Sequence, residues 1–193
     1  SRMTSTSVRG SKSEEYPPWN AMRQRYQNSL FPQRHLDIWH YSDVINAAAL
    51  RQMLMDKVWD VALIRSDMVF DAKHVEAACM RVWMKQQNNK LSARSLHAEL
   101  VYSLAANKNI GKSLASFGIN ETTNDLLLCV FDAPDDFLLS SRVEGTLSPI
   151  VFQTAEEEKA AMLRKYFKIS PGEEDLPGGL SLAIVSRVAT FGY

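Results

Sequence analysis

The tripeptide Gly111-Lys112-Ser113 contains the residue types that hold nucleotide phosphates in many enzymes. It matches the end of the pattern G-x-x-x-x-G-K-[ST], in which backbone amides and the lysine bind phosphate oxygens. An apolar segment, residues 99–105, precedes it, and a later apolar run ends at Asp132, where a magnesium-binding aspartate would belong. The pattern therefore raises the hypothesis of a small NTPase or phosphotransferase.

The loop departs from this pattern at its first glycine, which is replaced by Ala106. The backbone at that position turns its amides towards phosphate in conformations that a side chain obstructs. Residues 107–110 contain no glycine, and the helix predicted after them is only about eight residues long before Gly118. We therefore expect that the loop does not bind ATP.

A capped helix explains the same stretch without a nucleotide. Asn109 is the predicted N-cap, and Gly118 is the predicted left-handed C-cap. The helix would bury an apolar stripe formed by Ile110, Leu114 and Phe117. Exposed polar residues would surround its start, namely Asn107, Lys108 and Lys112. A helix N-terminus favours anions, so this interpretation predicts a modest anion site.

Charge is balanced over the chain but not along it. The 193 residues are 46% hydrophobic and 23% charged with zero net charge, which is typical of an ordinary soluble protein. Residues 73–112 nevertheless carry a net charge of +5. Their basic side chains are Lys73, Arg81, Lys85, Lys90, Arg94, Lys108 and Lys112. This segment indicates either a nucleic-acid footprint or helix faces that happen to be rich in solvated lysine.

The other reactive residue types form no catalytic or metal-binding pattern. The histidines lack metal-ligand spacing and are interpreted as surface or half-buried residues: His35, His40, His74 and His97. Cys79 and Cys129 lie in apolar contexts and are predicted to be buried free thiols of a reducing compartment. The tryptophans, at positions 19, 39, 59 and 83, are interpreted as core residues. We expect no cofactor, no metal and no enzymatic activity.

Strands and helices are predicted to intermingle along the chain. Strands are predicted at residues 35–41, 61–64, 99–105 and 125–132. Helices are predicted at residues 43–55, 72–87, 110–117, 154–167 and 180–189. Ser42 and Asp71 are the predicted N-caps of the first two helices, and residues 154–157 match a capping box. This order predicts an α/β or α+β domain with one central mixed sheet of four to five strands, flanked by helices.

The N-terminal residues are predicted to lie outside this domain. Residues 3–18 are rich in serine and threonine and nearly free of aliphatic side chains, so we expect them to be disordered. Residues 19–30 are ambiguous, with a short helix as one interpretation. The predicted organisation is a disordered or weakly structured extension over residues 1–29, in which Ser1-Arg2 is a cloning remnant, and one domain over residues 30–193. The longest apolar run has six residues, too few for a membrane helix of about 20.

A series of short motifs carries a family resemblance. In chain order they are "LFP" (30–32), "DV" (43–44), "NA" (46–47), "RSLxxE" (94–99), "NxNI" (107–110), "FGI" (117–119), "VEG" (143–145) and "KYFKIS" (165–170). An apolar C-terminal helix follows. Together they resemble the PRPK-binding protein (TPRKB-like) family, the small kinase-binding subunit of the KEOPS or EKC complex. The chain departs from the family at Ala105-Ala106, where Ser-Pro is usual.

This resemblance implies a non-catalytic role in tRNA modification. KEOPS adds a threonylcarbamoyl group to adenosine 37 of tRNAs that read ANN codons. The resemblance implies that the chain binds a PRPK-type atypical kinase, which in turn contacts the transferase subunit, and that it binds the tRNA 3′ CCA end. It implies a protein of the cytoplasm and nucleus with no membrane association. Two alternatives stay open: a kinase-binding adaptor without an RNA role, and the small NTPase.

Two sets of site residues follow from the resemblance and the local pattern. The predicted tRNA-binding residues are Arg94, Asn107, Lys108, Asn109 and Lys112. The alternative for them is solvated charge, and Glu99 is a possible structural partner of Arg94. The predicted kinase-binding residues are Leu180, Ala183, Ile184, Arg187 and Val188. The last helix is apolar over about 200° of its circumference, more than the roughly 100° that one packed face requires, so we expect a partner to cover the excess. The alternative is a helix buried within its own fold.

Overall fold

One open antiparallel sheet of five strands organises the described part of the chain. The computed structural model describes residues 18–152 and 157–191. The strands are β1 (Gln24–Tyr26), β2 (Leu36–Ser42), β3 (Ala62–Arg65), β4 (Leu126–Phe131) and β5 (Thr146–Ser148). Their order is β1-β2-β4-β3, and β5 pairs with the end of β2 that β1 leaves free. β4 therefore lies in the middle of the sheet.

Within these described residues, seven α-helices accompany the sheet. They are α1 (Ala47–Met55), α2 (Ala72–Gln87), α3 (Leu96–Ala105), α4 (Ile110–Phe117), α5 (Glu157–Phe167), α6 (Pro171–Glu174) and α7 (Gly179–Thr190). Short 3-10 helices lie at Pro18–Ala21, Ser66–Met68 and Phe137–Ser140. Within the described residues, none of the helices is both long and apolar enough to cross a membrane. The predicted single α+β domain is confirmed by this arrangement.

Both faces of the sheet are covered, and the alternation in β2 shows how. Leu36 and Ile38 point into a core shared with α2, α3, α5 and α7. Trp39 and Tyr41 point into a second core on the α1 side. The unbroken apolar sequence of β4 fits its position, since all six of its residues are buried. The predictions for β2 and β4 are therefore confirmed.

All strand pairs of the sheet are antiparallel, so the prediction of a mixed sheet is wrong. β2 and β3 run in the same direction, and a crossover through α1 joins them. They are not neighbours, because β4 lies between them and pairs antiparallel with both. A strand inserted from later in the sequence thus removes the parallel pairing that the order of elements favoured.

The segment predicted as the third strand is a helix. α3 begins after Ser95, whose side chain accepts a hydrogen bond from the Ala98 amide. Every side chain from residue 99 to residue 105 is buried. A helix that is buried on all sides loses the one-sided apolar pattern, so a short apolar run does not distinguish it from a central strand. The prediction of a strand at residues 99–105 is wrong for this reason.

The structure also shifts two predicted boundaries. Ser42 does not cap α1, since its hydroxyl bonds Ser148, Asp43 has a φ of 52° and the helix starts only at Ala47. β1 belongs to the sheet although it precedes residue 30, so ordered structure begins inside the predicted extension. The predicted disorder at residues 3–18 falls almost wholly outside the described residues, as do the first three residues of the capping box at 154–157.

Candidate functional site

The segment that resembled a phosphate loop connects two helices. Residues 107–109 link α3 to α4, whereas a phosphate loop follows a strand. Ala106 adopts the left-handed conformation as the C-cap of α3, and Asn109 caps α4 by accepting from the Lys112 amide. The Ser113 hydroxyl, which would bind magnesium in an NTPase, is buried and donates to the carbonyls of Asn107 and Asn109. The geometry therefore matches a capped helix.

Two details of that helix differ from the prediction. Phe117 is buried as expected, but Leu114 is 39% exposed and buried Ser113 lies on the inner face instead. Gly118 is extended, with a φ of −70°, and not left-handed. A Cβ there would lie 2.5 Å from the Leu114 carbonyl oxygen, so the glycine is required by close approach and not by its dihedral angles.

A basic groove lies beside α4, between it and the C-terminal helices. Its cavity volume is about 750 Å³. Its polar lining consists of Arg65, Asn107, Lys112, Lys165, Lys168 and Arg187 together with Ser116 and the half-buried Tyr166. Five cations from four separate segments thus meet at one concavity, and we call it the basic groove.

The cations of the basic groove differ in their partners. Arg65 pairs with Asp67 at 2.8 Å, and Arg187 pairs with Glu173 at 2.8 Å. The three lysines are exposed and form no ion pair with any residue in the described parts of the chain. The groove therefore has a net positive field, with its free charge on the lysines.

The predicted tRNA-binding residues divide between this groove and another surface. Asn107 and Lys112 line the groove, and exposed Lys108 and Asn109 lie beside it at the start of α4. Arg94 precedes α3, whose ten residues span about 15 Å, and Asn107 follows the other end of this helix. The structure thus brings four of the five residues together and separates Arg94 from them.

Sequence reasoning missed most of the groove's cations. Arg65 is the last residue of β3, and Lys165 and Lys168 belong to residues 113–193, whose net charge is −6. Their spacing from Lys112 in the sequence carries no signal of proximity. Lys165 and Lys168 belong to the motif "KYFKIS" at 165–170, which indicates the family but not the groove.

Two cations of the basic middle segment serve the fold and not a surface. The Arg81 guanidinium donates to the carbonyls of Val188 and Ala189 at the end of α7. Lys85 pairs with buried Glu99 at 2.8 Å. Glu99 also accepts from the amides of Ser92 and Ala93, so it braces the loop before α3. The expected Arg94–Glu99 pair is therefore replaced by a Lys85–Glu99 pair.

The predicted kinase-binding residues of α7 lie mostly inside the chain's own core. The buried residues of this helix are Leu180, Ala183, Ile184 and Val188. Ile184 and Val188 have no exposed surface. Arg187 lines the basic groove. The four buried side chains are therefore covered by the chain's own core, as in the alternative of a helix buried within its own fold, whereas Arg187 stays partly exposed.

A second, apolar groove lies between α2 and α7. Its cavity volume is about 450 Å³. Its lining is formed by Tyr26, Ala77, Met80, Ser181, Leu182 and Val185, with Lys73, Glu76 and Gly178 also contributing. Leu182 is 50% exposed. We call this concavity the α2–α7 groove, and it is the surface where the excess apolar arc of α7 meets solvent.

The histidines include two buried residues, contrary to expectation. His74 is fully buried, and burial lowers its pKa to about 4. Its Nδ1 accepts from the Phe70 amide, and its Nε2 lies 3.0 Å from the Leu104 carbonyl oxygen, to which it donates. His97 has a pKa lowered by burial and lies against Asp60. Both rings are engaged by the fold.

The cysteines lie in the interior of the described structure. Cys79 and Cys129 are buried free thiols, as predicted, and burial raises the pKa of each thiol. Within residues 18–152 and 157–191, no three His, Cys, Asp or Glu side chains are placed to hold a metal ion. Trp39 and Trp83 are buried core residues, and Trp59 is half-buried.

The chain is similar in sequence to a family of kinase-binding proteins. Residues 41–192 match the family model described as "Kinase binding protein CGI-121". The chain is 32% identical over 151 residues to the "EKC/KEOPS complex subunit CGI121" of Coccidioides immitis, covering 72% of this chain and 73% of that protein. It is 30% identical over 153 residues to the "EKC/KEOPS complex subunit TPRKB" of Danio rerio, covering 77% and 86%. The Aspergillus fumigatus subunit is 29% identical over 164 residues, covering 79% and 87%.

Proposed function

We propose that this chain, which belongs to the CGI-121 family of kinase-binding proteins, is a non-catalytic subunit of an EKC/KEOPS-type complex. In this proposal it binds a PRPK-type atypical kinase through the α2–α7 groove. Its basic groove receives the 3′ CCA end of tRNA. The chain would thereby contribute to threonylcarbamoyl addition at adenosine 37 while the kinase contacts the transferase subunit. We expect it in the cytoplasm and nucleus.

The observation that supports kinase binding is the apolar surface of the α2–α7 groove. A half-exposed leucine, Leu182, stands beside Met80 and Val185 at a concave site. Protein interfaces place such apolar anchors in pockets at their centre, with charged residues at the rim. Lys73 and Glu76 provide such a rim. The inner face of α7 packs this helix on its own core, which leaves the outer face for the partner.

The kinase assignment is tested by two aspartate variants of exposed apolar residues. Leu182→Asp places an unpaired carboxylate in the proposed interface, at a cost of about 2–5 kcal/mol, so co-expressed kinase should no longer co-purify. Ile45→Asp is the matched control, since Ile45 is 82% exposed and its neighbour Val44 belongs to the core on the α1 side of the sheet. Circular dichroism should show both variants folded. Kinase retention by folded Leu182→Asp would place the interface elsewhere.

The observation that supports RNA binding is the convergence of Lys112, Lys165 and Lys168 on one groove. Unpaired lysines beside a concavity suit the phosphates of a single strand, while its bases stack on aromatic side chains. Half-buried Tyr166 provides such a ring at the groove wall. Asn107 adds an amide that can hydrogen-bond a base edge or a phosphate.

The RNA assignment is tested by neutralising the three lysines together. The triple variant Lys112→Gln, Lys165→Gln, Lys168→Gln should bind tRNA more weakly. The fall of log affinity with log salt should become shallower, with a slope smaller in magnitude by about 2, because fewer counterions are released. Arg94→Gln is the control, because Arg94 lies outside the groove. Fluorescence anisotropy with intact tRNA and with tRNA lacking CCA measures both effects. Native affinity in the triple variant would support the adaptor without an RNA role.

A further inference from the structure

Two neighbouring carboxylates on α6 hold two different arginines. Glu173 pairs with Arg187, with Nη1 at 2.8 Å and Nη2 at 2.9 Å from its oxygens. Glu174 receives both of its bonds from Arg164 Nε, at 2.8 and 2.9 Å. Arg187 lines the basic groove, whereas Arg164 is not among the residues that line it. Of these two adjacent carboxylates, Glu173 therefore pairs with an arginine of the groove and Glu174 with an arginine outside it.

The Glu173–Arg187 ion pair is exposed enough for another anion to replace Glu173. The two side chains are 34% and 36% exposed, so water screens the pair and it is weak. A guanidinium can donate two parallel hydrogen bonds to a phosphate in the same geometry as to a carboxylate. An RNA phosphate that enters the groove can therefore take the place of Glu173 on Arg187.

The position of α6 does not depend on the Glu173 pair. Glu174 ties α6 to α5 through Arg164, which also pairs with Glu157 at 2.7 Å. Tyr166 and Phe167 in turn anchor the end of α5 among aromatic side chains of the core. Release of Glu173 therefore leaves the wall of the groove in place.

We propose that Glu173 is a resting partner of Arg187 that RNA phosphate displaces, and that this competition sets the affinity and salt dependence of the basic groove. The inference rests on the proposed RNA function of the groove. It assigns Glu173 an effect opposite to that of the lysines, since its carboxylate opposes binding. Asp67 holds Arg65, another arginine of the groove, in the same manner.

The test compares Glu173→Gln with Glu174→Gln, which remove the same charge from adjacent residues. Anisotropy with an RNA oligonucleotide ending in CCA should show about two- to fivefold tighter binding for Glu173→Gln at about 0.1 M salt. Its salt slope should steepen by about 0.7, equivalent to one additional phosphate contact. Glu174→Gln should leave the slope unchanged. Equal effects of the two variants, or weaker binding by Glu173→Gln, would overturn the inference.

A double-mutant cycle and a second ligand separate this inference from the proposed function. In an Arg187→Gln background, Glu173→Gln should no longer tighten binding, because no guanidinium is released. If the triple lysine variant binds RNA like the native chain, the proposed function fails. Tripolyphosphate titration, followed by the NMR signal of the Arg187 side chain, then still tests Glu173. An unchanged tripolyphosphate affinity in Glu173→Gln overturns the inference by itself.

Discussion

At the scale of single residues, His74 shows how a polar side chain becomes part of the core. Its ring contacts Phe117 and Phe167, and both nitrogens find backbone partners. Asp71 favours the charged ring and Lys159 opposes it, but burial is the largest cause of the lowered pKa. The neutral ring is therefore the form that the folded chain holds.

His74 should make the protein less stable in mild acid. Below its ordinary pKa of 6.5 the unfolded chain binds a proton, whereas the folded chain does so only near pH 4. Stability present above pH 6.5 is therefore lost as the pH falls towards 4, by about 2.5 kcal/mol at pH 4.5. The free energy of unfolding, measured with urea, should fall between pH 7 and pH 4.5 in the native protein. In His74→Gln this fall should be smaller by about 2.5 kcal/mol. An identical pH dependence in variant and native protein would contradict this assignment.

At the scale of elements, α3 and α4 form a corner around the short link at residues 107–109. Ala106 ends α3 in a left-handed conformation, with a φ of 46°, and Asn109 starts α4. Gly118 then lets the chain leave α4 close to the Leu114 carbonyl and reach the edge of β3, where it bridges Ile64. The corner positions Asn107 and Lys112 at the basic groove.

The two glycines of this corner should respond oppositely to alanine. Gly118→Ala places a methyl group 2.5 Å from a carbonyl oxygen, so we expect a loss of about 1–3 kcal/mol. Gly111→Ala meets only the Asn109 side chain at 3.5 Å and removes a glycine from a helix, so we expect a gain of up to about 1 kcal/mol. Thermal unfolding measures both. A stabilised Gly118→Ala would show that α4 can shift to admit the methyl group.

At the scale of the whole molecule, β1 closes one edge of the sheet. Arg25 donates two hydrogen bonds, of 2.7 and 2.9 Å, to the fully buried carboxylate of Asp37 on β2. Tyr26 stacks on Trp83 of α2, with ring centres 5.8 Å apart. Tyr26 also lines the α2–α7 groove, so the edge strand contributes to the proposed kinase surface.

Two truncations should therefore behave differently. A chain beginning at Trp19 should melt within a few degrees of the full chain, because residues 3–18 lack core-forming side chains. A chain beginning at Leu30 also loses Arg25 and leaves Asp37 buried without it, which costs about 3 kcal/mol or more. Urea unfolding distinguishes them. Equal stability of the two chains would mean that β1 contributes little to the sheet.

The sequence determined the elements whose signals are local. α2 begins after Asp71 as predicted, because an N-cap side chain and a buried stripe lie within a few residues of each other. β2 divides its faces by simple alternation, and β4 is central because its run has no polar residue. The short motifs were also sufficient to indicate the family, since their order does not depend on three-dimensional contacts.

Only the tertiary structure decided what covers each apolar face and which charges meet. Periodicity shows that Ile184 lies on an apolar face, but not whether the chain's own core or a partner covers it. Residues 99–105 form a helix because other helices surround them, which no local pattern records. Lys112 and Lys168 share a groove because Phe117 of α4 packs on Tyr166 and Phe167 of α5, although the two lysines lie 56 positions apart in the sequence. Contacts between distant segments follow from packing of the whole chain, so these properties were not predictable from residue spacing.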